Sequence, residues 1–360
     1  MFTAADHGFM EQALELAGRG LNTTTPNPRV GCVIVKDGVL VGRGWHEKAG
    51  LPHAEVLALK EAGDRTRGAA LYVNLEPCSH HGRTPPCVDA IVASGIKRVV
   101  AAMQDPNPKV AGSGFAKLRT AGITVEHGLK EDEARELNIG FVSRMTRGRP
   151  WMRMKIAASL DGRTALANGK SQWITGEAAR QDGHRWRARA CAILTGFGTV
   201  RDDDPQLNVR GVDAPRQPLK IVVDSKFETS PSARLLKEGK TLVVGAVNDA
   251  KRIASLKKAG AEVVIIPNDG GKVELFKLME ELARRELNEI HVEAGAKLNG
   301  SLLRAGVVDE LLVYLAPSVI GDSGRGMFHL PEITELSQAS ALKIREAARI
   351  GTDLRILARI

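Results

Sequence analysis

The sequence predicts two α/β domains, in each of which helices cover a sheet. Short apolar segments rich in Val and Ile alternate with segments of helical composition along most of the 360 residues, and this alternation is typical of largely parallel sheets. The length favours two domains, since an ordinary domain contains about 100–200 residues. The polar run at 146–150 contains Gly and Pro, which interrupt regular structure. We therefore expect one domain over residues 1–146 and a second over 147–360.

The first domain is predicted to be an α/β layer sandwich that begins with a helix and a hairpin. An amphipathic pattern over 6–21 predicts the helix. The apolar runs 31–35 and 39–45 flank Asp37 and Gly38, and Asp-Gly is a strong signal for a hairpin turn. The later predicted elements are a helix at 53–62, a strand at 70–75, a helix at 87–94, a strand at 97–102 and a helix at 131–145.

The second domain is predicted from a new series of apolar, β-branched segments with helical stretches between them. These predicted strands lie at 151–159, 191–196, 219–225, 241–246, 261–267, 289–295 and 310–317. The pattern indicates a second α/β domain, and neither an internal repeat nor a low-complexity tract interrupts it.

Composition and charge favour a cytoplasmic enzyme that binds small anionic ligands. The N-terminus lacks the basic start and apolar run of a signal peptide, and no stretch approaches the roughly 18 apolar residues of a membrane span. The net charge is +9, of which +1 falls in residues 1–146 and +8 in 147–360. Aromatic residues make up only 4% of the chain. Because nucleic-acid binders usually combine basic surfaces with stacking aromatics, we expect small phosphorylated ligands and no polynucleotide.

A metal-binding pattern carries the clearest chemistry. His53, Ala54 and Glu55 lie at a predicted helix start, and Pro77-Cys78 and Cys87 lie near the next one. One imidazole and two thiolates would hold Zn²⁺ and leave its fourth position for water, as in catalytic zinc sites. Glu55 would then act as the general acid/base. This pattern resembles the zinc-deaminase signature H-x-E followed by P-C-x-x-C, but eight residues separate the two cysteines here.

That long spacing carries a resemblance to one family. The run N-L-E-P-C-S-H-H-G-R-T-P-P-C at 74–87 is similar to the deaminase domain of bifunctional riboflavin biosynthesis enzymes, which implies a cytidine-deaminase-like fold. The runs T-P-N-P-R-V-G at 25–31 and D-P-N-P-K-V at 105–110 resemble its substrate loops, although each taken alone is also an ordinary turn sequence. The resemblance implies that the substrate-facing residues are Asn27, His46, Arg83, Asn107 and Lys109.

The second domain resembles the reductase domain of the same family over most of 151–325. The motifs that carry this resemblance lie at 155–164, 171–175, 199–207 and 293–301. They imply a dihydrofolate-reductase-like fold and NADPH as cofactor. The implied NADPH contacts are Ala157, Trp173, Thr199, Asp203, Ser225, Gly295, Ala296, Lys297, Leu298, Asn299, Gly300 and Ser301. The implied substrate contacts are Lys155, Ser171, Arg187, Leu207, Arg210 and Glu293.

Physical arguments support part of this assignment. Gly295–Ser301 follows a predicted strand and precedes a helical stretch, so a glycine-rich loop and the helix N-terminus after it would offer free backbone N–H groups to a pyrophosphate. Arg187 and Arg210 suit a sugar phosphate, because the guanidinium fork matches phosphate oxygens. Lys226 follows the strand at 219–225 and is our candidate for contact with the NADPH 2′-phosphate.

The resemblance implies two consecutive reactions. The first is hydrolytic deamination of 2,5-diamino-6-(5-phosphoribosylamino)pyrimidin-4-one, and the second is NADPH-dependent reduction of the ribosyl group to ribityl. It also implies a homodimer formed through the second domain. One alternative is a transfer-RNA-editing deaminase with a basic RNA-binding domain, which the long cysteine spacing opposes. Another is a zinc-stabilised binding protein without activity, for which Glu55 would serve no purpose.

Overall fold

The computed structural model describes residues 1–80, 85–108 and 110–360. The chain forms two compact units, Met1–Gly148 and Arg149–Ile360. Within the described residues, no helix combines the length and the apolar character that crossing a membrane requires.

The first unit is a five-stranded sheet with helices packed against it. Its helices are α1 Ala4–Gly18, α2 Ala54–Ala62, α3 Cys87–Ala93, α4 Ser113–Thr120, α5 Glu131–Leu137 and α6 Ile139–Arg147. Its strands are β1 Gly31–Lys36, β2 Val39–Trp45, β3 Ala70–Val73, β4 Arg98–Ala101 and β5 Thr124–His127. The strand order is β2-β1-β3-β4-β5, in which β1 is antiparallel to both neighbours and β3, β4 and β5 are parallel.

The predicted hairpin is confirmed, and it sets the position of α2. Asp37 and Gly38 both have positive φ, at 50° and 78°, as a tight hairpin turn requires. In β2, a Cβ on Gly44 would lie 2.3 Å from the carbonyl oxygen of Ala54. The missing side chain lets α2 pack directly on the strand, with Ala54 and Ala58 fully buried. The start of α2, where His53 is the N-cap, is therefore fixed against the sheet.

The closing helix differs from the prediction of one helix over 131–145. It is two helices, α5 and α6, separated at Asn138. The Asn138 side chain accepts a hydrogen bond from the Arg29 backbone N–H at 2.8 Å and donates one to the Arg29 carbonyl at 3.0 Å. This pairing holds Asn138 at a φ of −106° and a ψ of 22°, outside the helical range, and the helix breaks there. The sequence analysis also missed α4 and β5.

The second unit contains a nine-stranded sheet. Its helices are α7 Glu177–Arg189, α8 Phe197–Asp203, α9 Ala250–Lys258, α10 Leu275–Arg284 and α11 Ala296–Arg304. Its strands are β6 Trp151–Ser159, β7 Arg163–Ala165, β8 Ala192–Gly196, β9 Leu219–Val223, β10 Thr241–Gly245, β11 Glu262–Ile265, β12 Glu289–Val292, β13 Glu310–Ala316, β14 Arg325–Gly326, β15 Lys343–Ile350 and β16 Asp353–Arg359. The large sheet has the order β11-β10-β9-β8-β12-β6-β13-β16-β15, and β14 pairs with β7.

Each strand predicted for this unit is confirmed, but the final hairpin was missed. The first seven strands of this order, which run from β11 at the edge to β13, are all parallel to one another. Strands β16 and β15 then extend the sheet in antiparallel fashion beyond β13. Four of the eight residues of β15 are charged and the strand is mostly exposed, so no buried apolar pattern marks it in the sequence. The core lies between the central strands and helices that include α10 and α11.

A buried carboxylate ties α1 to the sheet of the first unit. Asp6 accepts hydrogen bonds from the Tyr72 hydroxyl at 2.7 Å and the Arg98 guanidinium at 2.6 Å, and from the Thr3 backbone N–H at 2.8 Å. The Arg98 guanidinium beside it holds the pKa of Asp6 well below its usual range. Because the folded pKa is lowered, the ionised carboxylate stabilises the fold above its ordinary pKa, near 4, and this contribution is lost as the pH falls.

We therefore predict that Asp6→Asn lowers the free energy of unfolding by about 1–3 kcal/mol at pH 7, because it leaves buried donors without their charged acceptor. The difference between variant and wild type should shrink as the pH falls below about 4, because Asp6 is then protonated in the unfolded chain while it stays ionised in the folded one. Urea unfolding of the full chain as a function of pH measures this. Asp132→Asn, at an exposed position, is the matched control, and an equal loss in both variants would contradict the role of Asp6.

Candidate active sites

The three predicted zinc ligands converge in the first unit. His53 is the N-cap of α2, Cys87 is the first residue of α3, and Cys78 lies on the segment that follows β3. Their candidate ligand atoms all lie within 4.8 Å of one another. The His53 Nδ1 atom is 3.2 Å from the Cys87 Sγ and 3.5 Å from the Cys78 Sγ. One imidazole and two thiols so placed are the donor set of a catalytic zinc site.

The contacts around Cys78 favour its thiolate form. The Cys87 thiol, the His53 ring and the Cys87 backbone N–H stabilise a Cys78 thiolate and lower the pKa of Cys78 to about 4. The hydrogen bond to Cys78, together with burial, raises the pKa of Cys87. A divalent cation bound by both sulfur atoms would displace the proton that Cys87 donates to Cys78. The same contact with Cys78 raises the pKa of His53.

Glu55 lies in the first turn of α2, two residues beyond His53, and is 3% exposed. Its Oε2 atom has no hydrogen-bond partner among the described residues. Burial, and then the neighbouring Cys78, raise the pKa of this carboxyl group. A buried carboxyl with an unused oxygen beside three ligand atoms fits a zinc site that holds a reactive water, because such an oxygen otherwise loses its solvation without compensation. The site therefore fits the metal that the sequence predicts.

Two of the predicted substrate residues adjoin the metal ligands. The Asn27 amide lies 3.1 Å from the His46 Nε2, and the His46 Nδ1 lies 3.2 Å from the Pro52 carbonyl oxygen. The carbonyl can only accept, so His46 carries its proton on Nδ1 and accepts from Asn27 on Nε2. The His46 ring is 2% exposed and meets the His53 ring edge-on at 5.2 Å. His46 is therefore better placed to orient Asn27 than to contact a ligand itself.

The other predicted residues of this site are less fully defined. Asn107 lies on the segment after β4, half-buried, and its backbone N–H donates to the Asp105 carboxylate at 2.8 Å. Arg83 and Lys109 lie outside the described residues. Glu76 lies within the cysteine motif but was not predicted as a site residue, and its carboxylate accepts hydrogen bonds from four backbone N–H groups.

In the second unit, the predicted cofactor residues gather at the carboxyl ends of neighbouring strands. Strands β9, β8, β12 and β6 are adjacent and parallel, so the residues near their ends meet at one edge of the sheet, the usual ligand edge of such sheets. These residues are Ala157 in β6, Thr199 and Asp203 in α8 after β8, Ser225 after β9, and Gly295 after β12. Trp173 is exposed and stacks with the Arg180 guanidinium at 4.8 Å.

The expectation of a loop over Gly295–Ser301 is wrong beyond its first residue. Gly295 is the N-cap of α11, so the free backbone N–H groups belong to the first helical turn, which includes Ala296, Lys297 and Leu298. The remaining predicted contacts, Asn299, Gly300 and Ser301, are helical. A Cβ on Gly300 would lie 2.0 Å from the His329 carbonyl oxygen, so close packing explains this glycine. The predicted helix N-terminus is present, and its free N–H groups would suit an anion.

Four of the predicted substrate residues of this unit form a cluster of charge. Arg187 donates two hydrogen bonds to the Glu293 carboxylate, at 2.5 and 2.7 Å, and a third to the Asn208 carbonyl at 3.0 Å. Burial opposes the charge on Glu293, but Arg187 outweighs it and holds the pKa well below the usual range. Burial lowers the pKa of Lys155, which lies near this pair. Arg210 is exposed and contacts the Asn208 side chain at 3.2 Å.

Two further predicted substrate residues are Ser171 and Leu207. Ser171 is half-buried. Leu207 is 3% exposed and has a φ of 49°, a left-handed conformation that is unusual for Leu and typical of strained backbone at binding sites. The sequence analysis missed His184, whose Nδ1 accepts the Arg210 backbone N–H at 3.2 Å. Its spacing of three residues from Arg187 on α7 places both on one helix face and could have indicated it.

Comparison with known proteins supports both halves of this picture. Residues 3–103 match the family described as the cytidine and deoxycytidylate deaminase zinc-binding region, and residues 150–356 match the RibD C-terminal domain. The riboflavin biosynthesis protein RibD of Escherichia coli is 48% identical over 97% of this chain and 98% of its own. That of Haemophilus influenzae is 44% identical over 99% of this chain and 97% of its own.

Solved structures agree. A crystal form of Acinetobacter baumannii RibD superposes with a TM-score of 0.92 at 43% identity, covering 99% of this chain and 98% of that one. A diaminohydroxyphosphoribosylaminopyrimidine deaminase/5-amino-6-(5-phosphoribosylamino)uracil reductase from Thermotoga maritima gives 0.88 at 34% identity, covering 99% and 98%.

These likenesses confirm the cytidine-deaminase-like and dihydrofolate-reductase-like folds that the motifs predict. They give no support to the transfer-RNA-editing alternative. The long cysteine spacing, the donor set of His53, Cys78 and Cys87, and the reductase motifs therefore lead to one conclusion: the chain belongs to the RibD family, the bifunctional zinc-dependent deaminases and NADPH-dependent reductases of riboflavin biosynthesis.

Proposed function

We propose that residues 1–146 deaminate 2,5-diamino-6-(5-phosphoribosylamino)pyrimidin-4-one at the site formed by His53, Cys78, Cys87 and Glu55. The observation that carries this proposal is the convergence of three zinc-type donors within 4.8 Å beside a buried carboxyl with an unpartnered oxygen. When bound there, zinc acts as a Lewis acid that makes water a nucleophile near neutral pH.

Glu55 is the proton carrier of this reaction. Hydrolytic deamination requires that water lose a proton and that the departing amine gain one, and a single carboxyl can carry out both transfers in turn. Its buried position keeps bulk water from competing for the proton. The raised pKa of Glu55 places it closer to neutrality, which suits a group that must both accept and donate.

Asn27 and Asn107 are the ring-facing residues of this proposal. The hydrogen bond from Asn27 to His46 uses one amide N–H and leaves the carbonyl oxygen and the other N–H for the pyrimidine edge. Arg83 and Lys109 supply positive charge for the substrate phosphate. The tautomer of His46 that the Pro52 carbonyl selects keeps Asn27 in one orientation.

We further propose that residues 147–360 reduce the ribosyl group of the deaminated product. NADPH supplies the hydride and is held by the helix N-terminus at Gly295, with Thr199 and Ser225 at the neighbouring strand ends. Arg187 already donates two hydrogen bonds to Glu293, so it keeps only part of its guanidinium for the substrate. The exposed Arg210 is therefore the stronger candidate for the phosphate. Glu293, which is paired with Arg187, and Lys155 contact the ribosyl chain and the ring.

The protein is also proposed to be a cytoplasmic homodimer that binds no nucleic acid. The low aromatic content supports the last point, because single-stranded nucleic acids bind through stacking. The dimer is supported by β15, an edge strand of the nine-stranded sheet whose Ile344 is 65% exposed. Edge strands with free backbone groups pair readily with a second chain.

Zinc should bind at about one equivalent per chain through His53, Cys78 and Cys87. Cys78→Ala should lose zinc, since two protein donors hold the ion far more weakly than three. Cys32→Ser and Cys191→Ser are the matched controls, because neither cysteine lies in the donor set, and both should retain full zinc. Metal analysis of protein purified without chelators decides the matter, and undiminished zinc in Cys78→Ala would defeat the assignment.

Glu55→Gln should separate the two activities. It preserves side-chain size and all three zinc donors but removes the proton carrier, so deamination should fall by about 10²–10⁴. The same variant, supplied with deaminated substrate, should oxidise NADPH near the wild-type rate. Ammonia release and NADPH oxidation are followed separately. Equal loss of both steps in a folded, zinc-loaded variant would require one shared site in place of two.

The reductase step should prefer NADPH to NADH by about tenfold or more, which corresponds to ~1.4 kcal/mol. Lys226 is exposed, and its carbonyl oxygen accepts a hydrogen bond from the Arg252 guanidinium at 2.9 Å, which places a second cation beside the Lys226 backbone. Lys226→Met should reduce this preference, whereas Lys258→Met, at another exposed lysine of the same unit, should not. Rates at subsaturating nucleotide measure the preference. Equal rates with both nucleotides in the wild type would contradict it.

A further inference from the structure

Glu76 is a buried acid with an unusual set of partners. It lies two residues before Cys78, on the segment that follows β3, and is 5% exposed. Its Oε2 atom accepts hydrogen bonds from the backbone N–H groups of Asp105 at 3.1 Å and Gly112 at 2.9 Å. Its Oε1 atom accepts from Gly114 at 2.8 Å and Phe115 at 3.3 Å. One carboxylate thus binds four backbone donors from a separate part of the chain.

These donors lie on either side of Asn107. Asp105, held by Glu76, accepts the Asn107 backbone N–H at 2.8 Å through its own carboxylate. The Asn107 carbonyl in turn accepts from Ala111 at 2.9 Å, next to Gly112. The Glu76 carboxylate therefore binds the chain before and after Asn107, and the position of the Asn107 side chain depends on this carboxylate.

The contact also fixes the start of α4. The N-cap of this helix is Gly112, which has no side chain to accept the first helical N–H groups. Glu76 takes that role from outside the helix, where a negative charge is favoured by the helix dipole. A Cβ on Gly114 would lie 2.2 Å from the Pro77 carbonyl oxygen, so the helix start packs directly on the segment that leads to Cys78.

We propose that Glu76 is a positioning residue for deamination, which holds Asn107 at a fixed place relative to the metal ligand Cys78 two residues away. This inference rests on the proposed function, in which Asn107 faces the pyrimidine. Glu76 touches neither the metal donors nor the reacting atoms in this role. Its loss should therefore weaken substrate binding while the proton chemistry of Glu55 continues.

The test is Glu76→Gln in the full-length, zinc-loaded protein. The amide replaces one acceptor oxygen with a donor that faces backbone N–H groups, so two of the four hydrogen bonds are lost. We expect KM for the pyrimidine substrate to rise about tenfold or more and kcat to stay within about threefold. Zinc should remain at one equivalent. Glu133→Gln, an exposed glutamate of the same unit, is the matched control and should change neither constant.

Several results would overturn the inference. An unchanged KM in folded Glu76→Gln would show that the contacts serve stability alone, and loss of zinc would show that Glu76 supports the metal segment. If Glu76→Gln does not accumulate as folded protein, Glu76→Asp decides, because it keeps the charge and shortens the reach by one methylene; a raised KM supports the role and an unchanged KM contradicts it. Failure of the wild type to release ammonia would instead contradict the proposed function itself.

Discussion

The deaminase site depends on the meeting of two helix starts with the end of one strand. His53 and Cys87 stand at the beginnings of α2 and α3, and Cys78 follows β3. The Cys87 backbone N–H donates to the Cys78 Sγ at 3.2 Å, and the Val88 N–H donates to the Cys78 carbonyl at 3.2 Å. The same unsatisfied N–H groups that every helix presents at its start thus lock the two cysteines together and favour thiolate.

The site of the second unit also depends on where strands end and a helix begins, but its chemistry is different. Its parallel strands deliver residues from distant motifs to one sheet edge, and the helix N-terminus at Gly295 offers N–H groups there to an anion. The ion pair of Arg187 and Glu293 is half-buried and bidentate. Such a pair is costly to break once desolvated, so it fixes both side chains. A rigid pair of this kind positions a substrate without requiring the protein to reorganise when it binds.

The sequence was sufficient where local chemistry decides the structure. The Asp37-Gly38 turn, the seven predicted strands of the second unit and the three metal donors all follow from residue type and spacing. It was insufficient where distant parts of the chain interact. Asn138 ends a helix because it pairs with Arg29, 109 residues away, and Glu76 caps a helix to which it is not adjacent in sequence. Gly300 resembled a cofactor glycine but is required by packing on His329.

We infer that one imidazole and two thiolates bind a catalytic zinc ion that has an open fourth position. X-ray absorption at the zinc edge of the purified, full-length protein tests it most directly, because scattering separates sulfur from nitrogen and oxygen by distance, with Zn–S near 2.3 Å and Zn–N near 2.0–2.1 Å. The account predicts two sulfur neighbours and two lighter ones, of which one exchanges with solvent. A shell of three or four sulfurs, or one without sulfur, would contradict it.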